Sequence, residues 1–131
     1  MYKKGNLLII DDEIEVLNTL KRVFYKDYHL HLTQSSKNAF SIMKKFNIEV
    51  ILCDQLMPEI KGSEFLKKAK SLYPNAIGIL TTGYSELNDI IMSINDDNIF
   101  RYVTKPWNTI DLKKSVKEVS KKISLFEKMK P

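Results

Sequence analysis

Three short aliphatic runs constrain this chain more than any other feature: Leu7-Leu8-Ile9-Ile10, Val50-Ile51-Leu52-Cys53 and Ile77-Gly78-Ile79-Leu80. None is interrupted by a polar side chain. A strand covered on both faces needs that pattern, whereas a strand with one wet face alternates. Two further stretches do alternate, His29-Leu30-His31-Leu32-Thr33 and Ile99-Phe100-Arg101-Tyr102-Val103-Thr104, as strands near sheet edges do. Between the runs lie stripes at helical spacing. They are Val16, Leu17, Leu20, Val23 and Phe24; Ala39, Phe40, Met43 and Phe46; Phe65, Leu66 and Ala69; and Leu87, Ile90, Ile91 and Ile94. A fifth runs Leu112, Val116, Val119, Ile123 and Phe126, with Asn108 as a candidate N-cap.

Strict alternation of five strands with five helices predicts an α/β fold with a parallel sheet and helices on both faces. Placing the second and fifth strands at the edges gives the order 2-1-3-4-5. That is the flavodoxin-like (βα)5 arrangement, whose crevice lies beyond the carboxyl ends of strands 1 and 3.

The 131 residues fit one domain, and 44% hydrophobic with 28% charged residues excludes a disordered or collagen-like chain. The single Cys53 rules out an internal disulfide and suits a reducing compartment. No apolar run approaches the ~18–20 residues of a membrane span, and the first run is too short for a signal-peptide core. The expected location is cytoplasmic, with no membrane partner. The net charge of +5 raises the question of nucleic acid. However, residues 108–131 hold seven lysines against Asp111, Glu118 and Glu127, which leaves the rest nearly neutral. A lysine-rich outer helical face is an ordinary solvated surface, so no direct nucleic-acid contact is expected.

The polar residues at the strand ends carry the chemistry. Asp11 and Asp12 follow the first strand, Asp54 follows the third, Thr82 and Gly83 follow the fourth, and Lys105 and Pro106 follow the fifth. Taken singly, each has an ordinary explanation. An Asp before a helix is an N-cap, an Asp or Thr near Pro or Gly is turn chemistry, and a lysine is solvated. Converging on one crevice, three carboxylates repel one another and are expected to hold a cation. Hard oxygen ligands with room for water suit Mg²⁺. A lysine opposite them can bind an oxyanion as a point charge. The set describes a phosphoryl-transfer site with a carboxylate nucleophile.

The sequence here resembles the receiver domain of two-component response regulators, the CheY-like family, from about Leu7 to Leu125. Four motifs carry the resemblance in order: Leu7-Leu8-Ile9-Ile10-Asp11-Asp12-Glu13, Cys53-Asp54-Gln55-Leu56-Met57-Pro58, Thr82-Gly83, and Tyr102-Val103-Thr104-Lys105-Pro106-Trp107. The resemblance implies that Asp54 accepts a phosphoryl group from a phosphohistidine of a sensor histidine kinase or phosphotransfer protein. Asp12 would ligate Mg²⁺ directly and Asp11 through water, with Asp54 and the backbone carbonyl of Leu56 completing the ligands. Thr82 and Lys105 would take the phosphoryl oxygens, and the Lys105-Pro106 bond would be cis. Tyr102 would turn inward as Thr82 moves, changing the face made by the fourth predicted helix, the fifth strand and the last helix. That face is also a candidate homodimer surface. The residues Thr81-Thr82-Gly83-Tyr84 and Arg101 to Trp107 further resemble receivers that head regulators with cyclic-di-GMP-processing outputs or hydrogenase-type transcription activators.

Three positions depart from the family pattern. Lys61 precedes Gly62 where an acidic or small residue is common. Leu56 stands where this subset often has arginine, which bears on phosphoryl lifetime. The turn Asn95-Asp96-Asp97-Asn98 lacks the usual glycine. The expected organisation is a receiver over residues 1–125, then the end of an extended helix over 126–131 leading to an output domain. Packing of that helix on its own domain, or pairing with a second copy, stands beside this reading. Trp107 is read either as a partner anchor or as packing at the start of the last helix. His29 and His31 are read as surface or partly buried strand residues, Cys53 as an inert core residue, and Phe24, Tyr25 and Tyr28 as packing for the first helix and its turn.

Two alternative readings fit the residues less well. A haloacid-dehalogenase-like hydrolase also forms an aspartyl phosphate, but it needs Asp-x-Asp after strand 1, where this chain has adjacent Asp11-Asp12. A flavin- or nucleotide-binding module needs a glycine-rich phosphate loop there, and the whole chain has four glycines. The expected chain is therefore a phosphoacceptor switch, not an enzyme acting on an outside substrate.

Overall fold

The computed structural model describes residues 4–83 and 101–128, with side chains in the last helix described to residue 123. The elements are β1 (Asn6–Ile10), α1 (Ile14–Phe24), β2 (His29–Thr33), α2 (Ser36–Lys45), β3 (Val50–Asp54), α3 (Gly62–Leu72), β4 (Ile77–Thr82), β5 (Arg101–Thr104) and a last helix (Thr109–Lys128). The five strands form one sheet in the order β2-β1-β3-β4-β5, and every pairing is parallel. The predicted stripe Leu87–Ile94, the turn Asn95–Asn98, residues Ile99 and Phe100, and the side chain of Phe126 lie outside the described residues.

The unbroken aliphatic runs have the reason the sequence suggested. Successive strand residues point to opposite faces, and both faces are covered. Leu8, Ile10, Ile51, Cys53 and Leu80 pack with Ala39, Met43, Phe65, Leu66 and Ala69 from α2 and α3. Leu7, Ile9, Val50, Leu52 and Ile79 pack with Leu17, Leu20 and Phe24 from α1 and with Leu112, Val116, Val119 and Ile123 from the last helix. The edge strands β2 and β5 are mostly half-buried, which their alternating patterns reflect.

Caps set the helix starts. Asn108 Oδ1 accepts from the backbone N–H groups of Ile110 (2.9 Å) and Asp111 (3.2 Å), so it caps the last helix as read. Ser35 Oγ accepts from Asn38 N and caps α2. Two packing expectations need correction. Phe46 lies just past α2 on extended backbone and is 47% exposed, its ring 4.4 Å from that of His31. Tyr25 is 55% exposed, whereas Phe24 is buried edge-on to Tyr28. Tyr28 also reaches the last helix, its hydroxyl 3.0 Å from Ser120 Oγ.

The start of α3 is tied to the end of β3. Lys61, its N-cap, supplies no side-chain cap. Gln55 does so instead. Its side-chain oxygen accepts from Ser63 N at 2.8 Å, and its backbone oxygen accepts from Gly62 N at 3.0 Å. At Gly62 the need is space, not a left-handed backbone: an added Cβ would lie 2.2 Å from the Asp54 carbonyl oxygen and 2.9 Å from Leu80 Cδ1. Gly62→Ala is expected to push α3 off the strand and cost about 1–3 kcal/mol, by analogy with overpacked cores. The check is a lower urea midpoint at unchanged m-value.

Candidate functional site

The ladder carries the key side chains to one level. Ile10 pairs with Cys53 and Asp54 with Thr81, so the next residue of β1, Asp11, comes level with Asp54. Backbone bonds continue just past the strands and hold the site in place. Asp11 N donates to Thr33 O (3.2 Å), Gln55 N to Thr81 O (2.9 Å) and Lys105 N to Thr82 O (2.8 Å).

Four of the candidate residues meet. Carboxylate oxygens of Asp11, Asp12 and Asp54 all lie within 4.8 Å of one another. Asp11 and Asp54 are buried, while Asp12 is exposed. Lys105 Nζ lies 2.9 Å from Asp54 Oδ1 and 3.4 Å from Asp11 Oδ2. The Lys105–Pro106 peptide bond is cis. Neither Asp11 nor Asp12 caps α1, whose N-cap Glu13 makes no side-chain cap bond; Asp11 Oδ1 instead accepts from Glu13 N at 2.9 Å in a turn just before the helix. Asp12 faces solvent, with its backbone oxygen accepting from Gln34 Nε2.

The other candidates stand around this group. Thr82 is buried, and its hydroxyl donates to the Gly83 carbonyl (3.4 Å) rather than to Asp54. Its neighbour Thr81 makes the long 3.5 Å contact to Asp54 Oδ1. Tyr102 is half-buried and packs against the cluster on the α2–α3 face. The Leu56 side chain is 55% exposed. Cys53 is fully buried; burial pushes its thiol well up, and Asp54 and Asp11 add to that push. It is a core residue.

Thr81, Gln55 and Gly62 were not singled out from the sequence. Parallel pairing sets Thr81 beside Asp54, and the amide of Gln55 directly after Asp54 is the signal for the α3 cap.

Burial raises the Asp54 carboxyl above the ordinary carboxylate range. Asp11 and Asp12 push the same way, and the hydrogen bond and charge of Lys105 offset part of the rise. For Lys105, burial works against the ammonium, but Asp54 and Asp11 outweigh it and the net shift is upward. The donor set suits a hard divalent cation: three carboxylates, two of them buried, with one side open to water at Asp12.

A raised carboxyl contributes stability that is present below its unfolded pKa of about 3.9 and lost as pH rises through the higher folded value. Asp54→Asn removes that loss. In chelator, the variant is expected to melt a few degrees above the parent at neutral pH, with the gap closing toward pH 4. Saturating Mg²⁺ should reverse the order, because ligand at 100 times its Kd adds about 2.7 kcal/mol to the binding-competent protein. Thermal melts across pH, with and without Mg²⁺, provide the check.

Known proteins share this pattern and fold. The family model described as response regulator receiver domain matches residues 7–117. The hydrogenase transcriptional regulatory protein HoxA of Bradyrhizobium diazoefficiens is 36% identical over 118 residues, which is 90% of this chain and 24% of that protein. The chain thus spans about a quarter of that relative. Sporulation initiation phosphotransferase F of Bacillus subtilis is 28% identical over 113 residues, covering 86% of this chain and 90% of that one. Among solved structures, a CheY-like response regulator receiver domain protein from Methanospirillum hungatei superimposes with a TM-score of 0.83 at 26% identity, covering 98% of this chain and all of that one. No helix among the described residues is long and apolar enough to cross a membrane. The chain belongs to the response regulator receiver domain family, whose members act as phosphoacceptor switches in two-component signalling.

Proposed function

We propose that Asp54 is the phosphoacceptor of this receiver and that Lys105, Thr82 and Tyr102 convert its phosphorylation into a change of surface. The observation that carries this reading is a buried carboxylate held 2.9 Å from a single ammonium, with two further carboxylates within 4.8 Å. A neutral or apolar strand end would be more stable, so the cluster is there to be neutralised by something that binds.

The donor is a phosphohistidine on a sensor histidine kinase or phosphotransfer protein. An Asp54 carboxylate oxygen attacks phosphorus; the O–P bond forms as the N–P bond breaks, and the imidazole nitrogen leaves. Mg²⁺ at Asp11, Asp12, Asp54 and the Leu56 carbonyl, when bound, neutralises the charge that would otherwise repel the incoming phosphoryl group. Lys105 exchanges its Asp54 contact for a phosphoryl oxygen, and so stays paired throughout. The chain's own residues thereby assist its phosphorylation and later hydrolysis, and no outside substrate is turned over.

The Thr82 hydroxyl spends its hydrogen bond on the adjacent Gly83 carbonyl at 3.4 Å, a weak partner. Three new phosphoryl oxygens are stronger acceptors and draw it toward Asp54. The ring of Tyr102 follows into the vacated volume, which alters β5 and the neighbouring faces. This is a shift between two packings of one structure. The altered face serves a second copy of the chain or a covalently linked output, such as a transcription-activating or cyclic-di-GMP-processing domain. The setting is the cytoplasm.

Acetyl phosphate with Mg²⁺ is expected to give one acid-labile adduct per chain, not formed when EDTA is present from the start and absent in Asp54→Asn. An adduct that persists in Asp54→Asn overturns the assignment. Thr82→Ala is expected to keep the adduct but lose most of the phosphate-dependent shift in NMR signals of β5. An undiminished shift there counts against the switch.

A further inference from the structure

The mechanism above leaves Trp107 unused, yet its ring belongs to the site. Trp107 is half-buried and packed on the core cluster formed with α1 and the last helix, so its indole is anchored. The Lys105 ammonium lies 5.7 Å from the centroid of that ring. The same nitrogen is 2.9 Å from Asp54 and 3.4 Å from Asp11. Its side chain is 27% exposed, so the charge is partly desolvated, which strengthens attraction to an aromatic face.

We propose that Trp107 is a positioning residue for Lys105, its indole face holding the ammonium at the crevice while the carboxylates bind other charges. The inference rests on the role given to Lys105 above. The physical need is specific. A divalent cation at Asp11 and Asp54 neutralises the two groups that hold the lysine. The lysine stem is flexible, and returning a released ammonium to one geometry costs rotamer entropy. An indole face is no ligand for a hard cation, so it keeps its hold when the carboxylates are taken. Tryptophan is also the strongest of the three rings for this purpose.

Two measurements test this. The first is the NMR shift of the Lys105 ε-methylene protons, which a ring above the ammonium moves upfield. The upfield shift is expected in the metal-free protein and at saturating Mg²⁺, and is expected to vanish in Trp107→Leu. The second is the rate of Asp54 phosphorylation by acetyl phosphate at saturating Mg²⁺. Trp107→Leu is expected to be about threefold to tenfold slower, with the order Trp, Tyr, Phe, Leu, as ring strength dictates and packing volume does not. Mg²⁺ affinity by calorimetry should stay unchanged across the series. Unshifted lysine protons in the Mg²⁺-loaded parent, a Leu variant as fast as the parent, or a Phe variant as slow as Leu overturns the proposal. If Trp107→Leu does not fold, the Tyr and Phe variants carry the rank order. If the parent forms no adduct at Asp54, the phosphoacceptor reading falls, and the lysine proton shift alone decides whether Trp107 holds Lys105.

Discussion

One ammonium set against three carboxylates is the interaction around which the molecule is arranged. Lys105 reaches from beyond β5 to Asp54 at the end of β3 and Asp11 just past β1, and so ties β5 to two strands it does not pair with. Parallel pairing makes this possible, because it brings all the carboxyl ends to one side. The remaining imbalance is what gives the site its chemistry. Burial and the acidic neighbours raise the Asp54 carboxyl despite the lysine, so the resting crevice gains free energy by taking up positive charge.

The core supports this by being stiff on both sides of the sheet. Residues one apart along β1 and β3 belong to different clusters, one under α2 and α3, the other under α1 and the last helix. A change at the strand ends therefore meets packed side chains in either direction. Thr82 has a weaker hold, its hydroxyl bonded at 3.4 Å to the Gly83 carbonyl, and Tyr102 is half-buried on an edge strand. The ion pair between Arg101 and Glu118 (2.7 Å) joins that edge to the last helix at the surface, where its contribution to stability is small.

The fold was legible because doubly buried strands leave no room for polar residues. The runs from Leu7, Val50 and Ile77 predicted the three central strands, and the alternation around His29 and Arg101 predicted the edges. The stripe ending at Phe46 failed by one residue, because the chain turns to extended backbone there and the ring leaves the helical face. At the site, residue type and position after a strand pointed to Asp11, Asp12, Asp54 and Lys105. What stayed hidden were groups whose part depends on the neighbouring chain segment. Thr81 touches Asp54 only through register, and Gln55 is an unremarkable amide until its oxygen is seen capping α3. The ordinary explanation of the acidic pair, a helix cap, does not apply: α1 has no side-chain cap, and Asp11 Oδ1 bonds Glu13 N just before the helix.

The clamp at Gln55 has a consequence for how such a site can diverge. The segment 56–61 leaves Gln55 and returns to it, since Gly62 and Ser63 both bond to Gln55 itself. The loop is thus closed at its neck, independently of what it contains. Leu56, Pro58, Glu59 and Lys61 are all exposed, and their side chains contribute nothing to the two bonds at the neck. Substitutions among their side chains can accumulate with little effect on the register of α3. At Gly62, by contrast, any side chain meets the Asp54 carbonyl and Leu80. Sequence drift beside Asp54 is therefore channelled into an exposed stretch, while the scaffold under it is shielded from the change.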